Sequence, residues 1–589
     1  MIDLNDEKEA YINARGKVVL NACPGSGKTT TIAYKLHTLI ENNYHKLNIG
    51  GIACLSFTNV AKDEIKQKYT EFSKKSLNYP HTVSTIDNFI NSYITLPFYY
   101  LLKEGQHQRP TILDENQHLN DFWINELWAF DTYRRKKLPK HKNIEGKYLL
   151  NIYPPSDIQK DINGIYTYKG NIPSFDKVDT DIFNDYAETI KKWQFKHSIL
   201  TNYDSTIFAL NILSKFSQVT LGLAKRFEFI IVDEAQDTSE IQHAIFEKLI
   251  DNGLKNIELI GDPYQSLYSW RNAKPKVFMD KYYDSNWTGL NLSDNWRSTE
   301  TIINTYSLLR NPSDKVIFAK IKSNIEHPIY ILNFQTDNEI QALEKYKRLI
   351  ICYKNNWVVT RGAKLSEKLN GNSENNNNYW KNPIAIKIIN SIIELKENNI
   401  KSAIDTFRSV VVDIMFVNPK LSYKEKREKL KELKIDYEMN GRINELLNEF
   451  SDFNISLSEW TNKTVIRLTE YFQLLTIPDF ELKKGSYSPN HKKMMSDLFT
   501  HKSTNWNFSI STIHKVKGMT FDTTLLFLNK NKRSISIVDI FPSNGNLTDN
   551  QTMIYVAMSR PKYLLAIAVE DTVDIKEIIK KLGDKIVVL

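Results

Sequence analysis

The sequence predicts an α/β protein in which parallel sheets are flanked by helices, and three observations predict it. A β-prone run, Lys17–Leu20, leads into a glycine-rich turn with a Lys-Thr pair, and a helix-like stretch begins at Thr31. The apolar run Phe229–Val232 ends in two adjacent carboxylates. Further apolar runs end in polar residues and precede helical stretches. Buried parallel strands have such continuous apolar runs, and ligands bind beyond their carboxyl ends.

Length and composition describe a multidomain globular protein. The chain has 589 residues, too many for one hydrophobic core. Its hydrophobic content of 41% and charged content of 25% are ordinary for soluble proteins. The net charge of +9 suits a polyanionic partner such as a nucleic acid, and it is too mild to prove one.

Cysteine usage and the N-terminus indicate an intracellular protein. Cys23, Cys54 and Cys352 are far apart and match no metal-binding spacing, which favours a reduced environment. The N-terminus is acidic and polar, unlike a signal peptide. No apolar stretch approaches the roughly 18 residues that span a bilayer. We therefore expect a cytoplasmic protein without a membrane partner.

The segment that follows the first strand has the order of a phosphate-binding loop. Gly25 and Gly27 allow the backbone to fold around phosphate with its N–H groups inward, and the next helix adds a positive dipole. Lys28 is expected to reach the β and γ phosphates, and the Thr29 hydroxyl is expected to bind Mg²⁺. The predicted nucleotide-binding residues are Ala22, Cys23, Pro24, Gly25, Ser26, Gly27, Lys28, Thr29 and Thr30.

Two features qualify that loop. Ala22 stands near the position where the minimal pattern has its first glycine, and a glycine-rich turn with an incidental lysine is the alternative. The carboxylates at the other strand end argue against this alternative. Asp233 is suited to be the second magnesium contact, and Glu234 to be the base that activates water. The two segments together predict an NTPase that uses ATP and Mg²⁺.

Further segments follow in a fixed order: Ala53–Asn59, Val83–Thr85, Gly261–Ala273, Leu292–Ile302, Trp357–Arg361, Ser511–Phe521 and Ile554–Lys562. This ordered set resembles superfamily 1 DNA helicases of the UvrD/Rep/PcrA group, and the resemblance covers both ends of the chain. It implies two RecA-like P-loop domains with two mainly helical inserted subdomains. It also implies that ATP binds in the cleft between the domains and that translocation on single-stranded DNA runs 3′ to 5′.

The resemblance implies roles for five further residues at the nucleotide. Gln236 and Gln265 match positions that sense the γ-phosphate or the attacking water. Arg297 and Arg560 match two arginines that reach the γ-phosphate from the domain interface, where planar guanidinium groups suit the charge on its oxygens. Trp296 stands where the family has an aromatic ring that stacks on adenine.

The resemblance also implies a DNA track, because nine residues match strand-contacting positions: Phe57, Thr58, Asn59, Thr85, Tyr268, Trp270, Arg271, Arg361 and His514. A flat indole beside a guanidinium suits base stacking plus phosphate contact, which favours Trp270 and Arg271. The alternatives are a core role for Trp270 and a polar surface role for His514. The expected partner is single-stranded or forked DNA.

Four departures from the family pattern affect nucleotide choice and strand affinity. Lys8 replaces a glutamine, and lysine cannot offer the paired donor and acceptor of an amide, so adenine selectivity is in question. Asp87 replaces a histidine, and Thr520 replaces a glutamate. The segment Asp262–Tyr264 also differs from the usual sequence.

The resemblance predicts domain boundaries. The first RecA-like domain comprises 1–90 and 199–298, and the second comprises 299–382 and 500–589. The inserted subdomains are 91–198 and 383–499. The basic run Tyr133–Lys142 of the first insert is either a solvated face or a DNA contact.

Two functions follow as hypotheses. The first is an ATP-dependent DNA helicase or translocase. The second is a regulatory subunit whose nucleic-acid-stimulated ATPase controls a partner nuclease. The compact size of the chain and the residue pattern of Gly261–Phe278 are similar to those of the helicase-like subunit of Gabija-type anti-phage defence systems. No acidic cluster follows Lys562, so we expect no nuclease activity in this chain.

Overall fold

The structure is a computed structural model. It describes residues 3–43, 50–102, 109–113, 137–138, 141–145, 149, 152–168, 180–196, 198–267, 273–323, 325–336, 338–369, 379–396, 400–416, 423–473, 477, 480–483, 492–499, 506–528, 547–571, 575–576, 579–580 and 583–589. Within these ranges no single helix is long and apolar enough to cross a membrane. The helices Asn202–Lys215 and Ser217–Arg226, bent by 104°, meet that test of length and composition only as a pair.

The strands of the described ranges are numbered in chain order: β1 Lys17–Ala22, β2 Gly51–Ser56, β3 Thr82–Thr85, β4 Thr111–Leu113, β5 Lys137–Leu138, β6 His141–Glu145, β7 Ile158–Lys160, β8 Tyr166–Tyr168, β9 Ile199–Thr201, β10 Phe227–Asp233, β11 Asn256–Gly261, β12 Thr288–Leu292, β13 Asp294–Asn295, β14 Phe318–Ala319, β15 Ile329–Phe334, β16 Asn356–Thr360, β17 Ser509–Thr512, β18 Phe521–Leu528, β19 Pro561–Glu570 and β20 Ile586–Val588.

The α-helices are numbered in the same way: α1 Asp6–Asn13, α2 Lys28–Asn43, α3 Asn59–Ser73, α4 Ile86–Ile90, α5 Leu96–Phe98, α6 Thr180–Lys196, α7 Asn202–Lys215, α8 Ser217–Arg226, α9 Glu240–Asp251, α10 Pro275–Tyr283, α11 Glu300–Ser307, α12 Ile340–Leu349, α13 Ala363–Leu369, α14 Ile384–Lys396, α15 Ile400–Met415, α16 Tyr423–Ile435, α17 Tyr437–Glu449, α18 Leu457–Phe472, α19 Met495–Phe499 and α20 Asp549–Met558.

The first sheet is parallel throughout and has the strand order β12-β1-β11-β10-β2-β3. Its apolar residues alternate between two cores: Val19 packs into one, while Val18 and Leu20 pack into the other. This alternation follows from the period of two in a strand, and helices cover both faces. Because the strands are parallel, the residues that follow β1, β2, β3, β10 and β11 meet at one edge of the sheet.

The second sheet is also parallel, with the order β17-β16-β18-β19-β15-β20. Its core includes Ile302 and Ile303 of α11 and most of α20. Cys23 and Leu267, which extend from β1 and β11 of the first sheet, are buried in this same core. The loop after β1 is therefore packed against the second sheet as well as the first. The prediction of α/β architecture with parallel sheets flanked by helices is confirmed.

The described part of 91–198 combines helices with short strand pairs, β5 with β6 and β7 with β8. A buried ion pair joins α6 to α7, with 2.8 Å between Lys191 Nζ and Asp204 Oδ1. Most of the basic run Tyr133–Lys142 lies outside the described residues.

Residues Lys364–Trp506 form a separate compact unit. It is helical, and its core surrounds two fully buried tryptophans, Trp380 and Trp460. Each indole N–H is satisfied: that of Trp380 donates to Thr461 Oγ1 at 3.0 Å, and that of Trp460 donates to the carbonyl of Phe450 at 3.0 Å. Amphipathic spacing in the sequence, with apolar residues at i and i+3 or i+4, accounts for this helical core.

Candidate nucleotide and nucleic-acid sites

The loop between β1 and α2 forms a cradle for an anionic group. Gly25 and Gly27 have φ values of +71° and +80°, in the left-handed region that glycine adopts without strain. The helix that begins at Lys28 directs its N-terminal dipole at the loop. The Lys28 ammonium donates to the carbonyl of Ala22 at 3.4 Å, a long bond that a phosphate can replace. The Ser26 hydroxyl is buried and has no partner among the described residues.

The cradle is braced by the last residue of β13 and the residue that follows it. Asn295 Nδ2 donates to the carbonyl of Pro24 at 2.7 Å, and the Trp296 N–H donates to the carbonyl of Gly25 at 2.9 Å. A Cβ atom on Gly25 would lie 2.6 Å from Arg297 Cβ. Only glycine fits at position 25, because of this contact and its positive φ.

Two adjacent carboxylates stand beside the cradle at the end of β10. Asp233 is buried, and Glu234, with φ +55°, turns the chain away and donates its N–H to Asp233 Oδ1 at 3.0 Å. Burial and the neighbouring Glu234 raise the pKa of Asp233 to about 7. Burial would also raise the pKa of Glu234, but Lys28 and Lys517 together hold it below its usual value. Glu234 is thus the more readily ionised of the two.

These groups fit a hard divalent cation. Asp233 and Thr29 line the same cleft as Lys28, and carboxylate and hydroxyl oxygens are the ligands that Mg²⁺ prefers. The raised pKa of Asp233 marks a buried negative charge that is only partly compensated, which a cation bound there would offset.

Gln236 and Asp237 tie Glu234 to both sheets. Gln236 Nε2 donates to Glu234 Oε2 at 2.6 Å, and its Oε1 accepts from the N–H of Asp262 at 3.2 Å. Lys517, which lies between β17 and β18 of the second sheet, forms an ion pair with the fully buried Asp237, and its Nζ lies 3.8 Å from Glu234 Oε2. Lys517 therefore links the second sheet both to Glu234, the candidate base, and to Asp237.

Two arginines approach the cradle. Arg297 Nη1 donates to the carbonyl of Ser559 at 2.9 Å. Arg560 is fully buried and donates through Nη2 to Gln265 Oε1 at 2.8 Å, while Gln265 Nε2 donates to Asp262 Oδ2 at 2.8 Å. Burial, followed by the charge of Arg297, lowers the pKa of Arg560. Two guanidinium groups brought together in a buried site favour an anionic ligand between them.

Together these residues line one cleft of about 320 Å³ between the two sheets, formed by Cys23, Pro24, Gly25, Ser26, Gly27, Lys28, Thr29, Thr30, Ala61, Glu64, Asp233, Glu234, Gln265, Trp296, Arg297, Gly518, Thr520, Arg560 and Lys562. Of the residues that the sequence assigned to the nucleotide, Ala22 stays buried in β1 and Gln236 stays buried behind Glu234. Glu64, Lys562 and Lys517 were missed. Lys517 and Lys562 carried a signal, since they belong to Ser511–Phe521 and Ile554–Lys562 of the ordered set, whereas Glu64 carried none.

The residues assigned to DNA on the first sheet lie at the carboxyl ends of β2 and β3. Phe57 is half-buried and Asn59 is exposed. Thr58 caps α3, its hydroxyl accepting from the N–H of Ala61 at 3.2 Å, and Thr85 caps α4. Both threonine hydroxyls therefore have a structural partner. Tyr268, Trp270 and Arg271 lie outside the described residues.

The residues assigned to DNA on the second sheet follow two neighbouring strands. Arg361 follows β16 and His514 follows β17 by two residues. Both are half-buried. Burial lowers the pKa of His514, and the charges of Lys517 and Arg361 lower it further. The edge of this sheet thus presents the guanidinium of Arg361 near the imidazole of His514. His514 precedes Lys517 by three residues.

Two parallel sheets, with a phosphate cradle and paired carboxylates on the first and an arginine approaching from the second, define a P-loop protein with two RecA-like halves. The family model described as UvrD/REP helicase N-terminal domain matches residues 4–286, and the UvrD-like helicase C-terminal domain matches residues 318–572. The chain belongs to the UvrD-like helicase family.

Relatives of this chain bear helicase names. It is 26% identical over 362 residues to a "Probable DNA helicase II homolog" of Mycoplasma capricolum, an alignment that covers 59% of this chain and 47% of the relative. A protein of the same name in Mycoplasma genitalium is 21% identical over 95% of this chain and 84% of its own length. "ATP-dependent DNA helicase Rep" of Buchnera aphidicola is 27% identical over 62% of this chain and 54% of its own length. The chain spans about half the length of the first and third of these relatives.

Proposed function

We propose that the protein is a DNA helicase or translocase that hydrolyses ATP with Mg²⁺ and couples hydrolysis to 3′-to-5′ movement on single-stranded DNA. One observation carries this proposal: Lys28, Glu234 and Arg560 line a single cleft although they come from different sheets. The helicase names of the relatives and the family membership support the same function. The coupling is expected to depend on closure of the cleft, because each sheet holds only part of the site.

The residues have distinct tasks in this proposal. Lys28 and the N–H groups of the cradle bind the β and γ phosphates, while Thr29 and Asp233 hold Mg²⁺, which neutralises phosphate charge when bound. Glu234, ionised through the charges of Lys28 and Lys517, takes a proton from the attacking water. Gln265 is bonded to Arg560, so both can respond to the same phosphate oxygen. Arg297 and Arg560 stabilise the charge that develops on the transferred group.

A short stretch of chain connects the predicted DNA track with the cleft. His514 lies three residues before Lys517, which reaches Asp237 and lies near Glu234. We assign Phe57, Thr58, Asn59, Thr85, Tyr268, Trp270, Arg271, Arg361 and His514 to the DNA track, as the sequence predicts. In the same assignment, 1–90 with 199–298 and 299–382 with 500–589 are the two motor domains, and 91–198 and 383–499 are the inserts.

The test combines hydrolysis with strand separation. ATP hydrolysis is measured alone and with single-stranded DNA, duplex DNA and RNA, and unwinding is measured on duplexes with 3′ or 5′ overhangs. We expect hydrolysis stimulated by single-stranded DNA and unwinding from the 3′ overhang. Stimulated hydrolysis without any movement would instead support the regulatory function, with a nuclease as the controlled partner. Hydrolysis unaffected by any nucleic acid would contradict both.

A further inference from the structure

Lys8 places an ammonium group against the indole of Trp296. Its Nζ atom lies 4.8 Å from the ring centroid, and Lys8 is only 5% exposed. Trp296 is 37% exposed and lines the cleft beside the cradle. An exposed aromatic face next to a phosphate cradle is a surface on which a nucleotide base can stack. The ammonium thus lies over the ring on which a base is expected to stack, at a distance from the centroid that leaves it beside an edge of the base.

The helix that carries Lys8 is fastened to the segment that carries the indole. The Glu7 carboxylate accepts from the N–H of Ser293 at 2.6 Å and from its hydroxyl at 2.8 Å. Asn5 Nδ2 donates to Asp294 Oδ2 at 2.7 Å, and Asn5 Oδ1 accepts from the backbone N–H of Lys8 at 2.9 Å. The ammonium donates to the carbonyl of Asp3 at 2.7 Å. These bonds fix the start of α1 against the indole segment without a nucleotide.

An ammonium distinguishes purines because it has three donors and no acceptor. Guanine presents two acceptors, N7 and O6, on one edge, whereas adenine presents the acceptor N7 and the amino donor N6. Hypoxanthine has the same N7 and O6 acceptors as guanine. Lys8 can therefore donate to two acceptors, N7 and O6, on that edge of a 6-oxopurine. On adenine it can donate only to N7, because the N6 amino group is itself a donor.

We propose that Lys8 is a specificity-determining residue that favours 6-oxopurine nucleotides, so that the cleft accepts GTP and ITP in addition to ATP and binds them more tightly. This inference rests on the proposed nucleotide-hydrolysing function of the cleft and specifies the bases that it accepts. The function itself does not depend on the inference, since it is argued from Lys28, Asp233 and Glu234, which are assigned to the phosphates, the magnesium ion and the attacking water.

The experiment measures binding of diphosphates, which removes hydrolysis from the readout. A ribose-labelled fluorescent GDP is bound to the full chain with Mg²⁺ and displaced by unlabelled GDP, IDP or ADP. We expect GDP and IDP to displace it at roughly tenfold lower concentration than ADP, as for other paired contacts to a base edge. IDP is the decisive ligand, because it has the O6 of guanine and lacks the 2-amino group.

Variants at position 8 assign the preference to Lys8. Lys8→Gln offers a donor and an acceptor, so the ratio of ADP to GDP affinity should rise about tenfold. Lys8→Arg keeps only donors and should retain the preference for GDP and IDP. Lys320→Gln is the matched control, since Lys320 Nζ lies 3.6 Å from Asp294 Oδ1 in the same segment and makes no described contact with the indole. It should leave the ratio unchanged.

Each contrary outcome has a separate meaning. Equal affinity for ADP, GDP and IDP in the wild type would overturn the role of Lys8 and leave the proposed function standing. A preference for GDP without one for IDP would assign selectivity to the 2-amino group and would also overturn it. If the fluorescent nucleotide fails to bind at all, the proposed function of the cleft fails. If Lys8→Gln does not fold, the three wild-type affinities and the Lys8→Arg variant still decide.

Discussion

The two sheets contribute to the cleft in different ways. The first sheet holds its groups rigidly at strand ends: the cradle has two glycines with positive φ, and Asp233 is fixed as the last residue of β10. The second sheet contributes Lys517 and Arg560, whose bonds run to residues of the first half. The first sheet is thus built to bind a nucleotide by itself, and the second to complete the site when the halves are together. Binding and turnover should accordingly respond to different substitutions.

The largest effect is expected from a substitution in the first sheet, which binds the nucleotide. Lys28→Ala removes the only lysine of the cradle loop, so ATP hydrolysis stimulated by single-stranded DNA should fall below detection and nucleotide affinity should drop. The measurement is phosphate release together with fluorescent nucleotide binding. Lys255→Ala, an exposed lysine at the opposite end of β11, is the matched control. Retained hydrolysis in Lys28→Ala would disprove the assignment of the cradle.

The next effect separates turnover from binding. Arg560→Ala should reduce turnover by about 10³-fold or more, because a guanidinium that stabilises the transferred phosphate is removed, while nucleotide affinity changes little. Steady-state kinetics and equilibrium binding on the same preparation measure this. Arg560→Lys serves as the conservative control for the buried position. Loss of binding in parallel with turnover would show that Arg560 is structural, and the contrast between the sheets would fail.

A smaller effect concerns the ion pair between the halves. Lys517→Met should lower the stimulation of hydrolysis by DNA about tenfold, because coupling energies along such contacts are of the order of 1–2 kcal/mol. Asp237→Asn should have a similar effect. The double variant should be no worse than either single one, because both substitutions break the same contact. Additive losses would mean that Lys517 and Asp237 act independently.

The effect that is smallest on activity is one of stability, and it concerns the first sheet alone. His243 of α9 is buried, and neither ring nitrogen has a partner among the described residues. Burial and the charge of Lys281 lower its pKa to about 3. Below about pH 6.5 the imidazole of His243 takes up a proton in the unfolded chain but not in the folded chain. The folded state therefore loses stability as the pH is lowered from about 6.5 to 3. From pH 6.5 to 5 the free energy of unfolding drops by about 1.6 kcal/mol.

Hydrogen exchange at pH 5 and pH 7 checks this prediction. Protection of β10 and β11 should weaken at pH 5 more than protection of β18 and β19. In His243→Leu, which cannot take up a proton, the difference between the sheets should disappear. An equal pH response of both sheets in the wild type would refute the assignment of this effect to His243.

The sequence predicts the parts of this site that are local in the chain. The order of strand, glycine turn, Lys-Thr and helix locates the cradle, because the conformation of such a loop depends on adjacent residues. The bracing of the cradle by Asn295 and the pairing of Lys517 with Asp237 could not be predicted. These partners are hundreds of residues apart, and they meet only because two sheets pack together. The position of Lys8 on Trp296 likewise depends on bonds between α1 and the segment after β12.

The close contact between Gly25 and Arg297 leaves little freedom of movement between the cradle and the segment that follows β13. There is no room for a methyl group between the loop that would hold the phosphates and the residues Asn295 and Arg297. A nucleotide cannot push these parts away from each other without breaking the bonds that Pro24 and Gly25 make to the same segment. An adjustment to a bound phosphate is therefore expected at the single hydrogen bond from Arg297 to the carbonyl of Ser559, which joins this segment to the second sheet. The tight contact at the cradle thus directs movement to the looser contact beyond it.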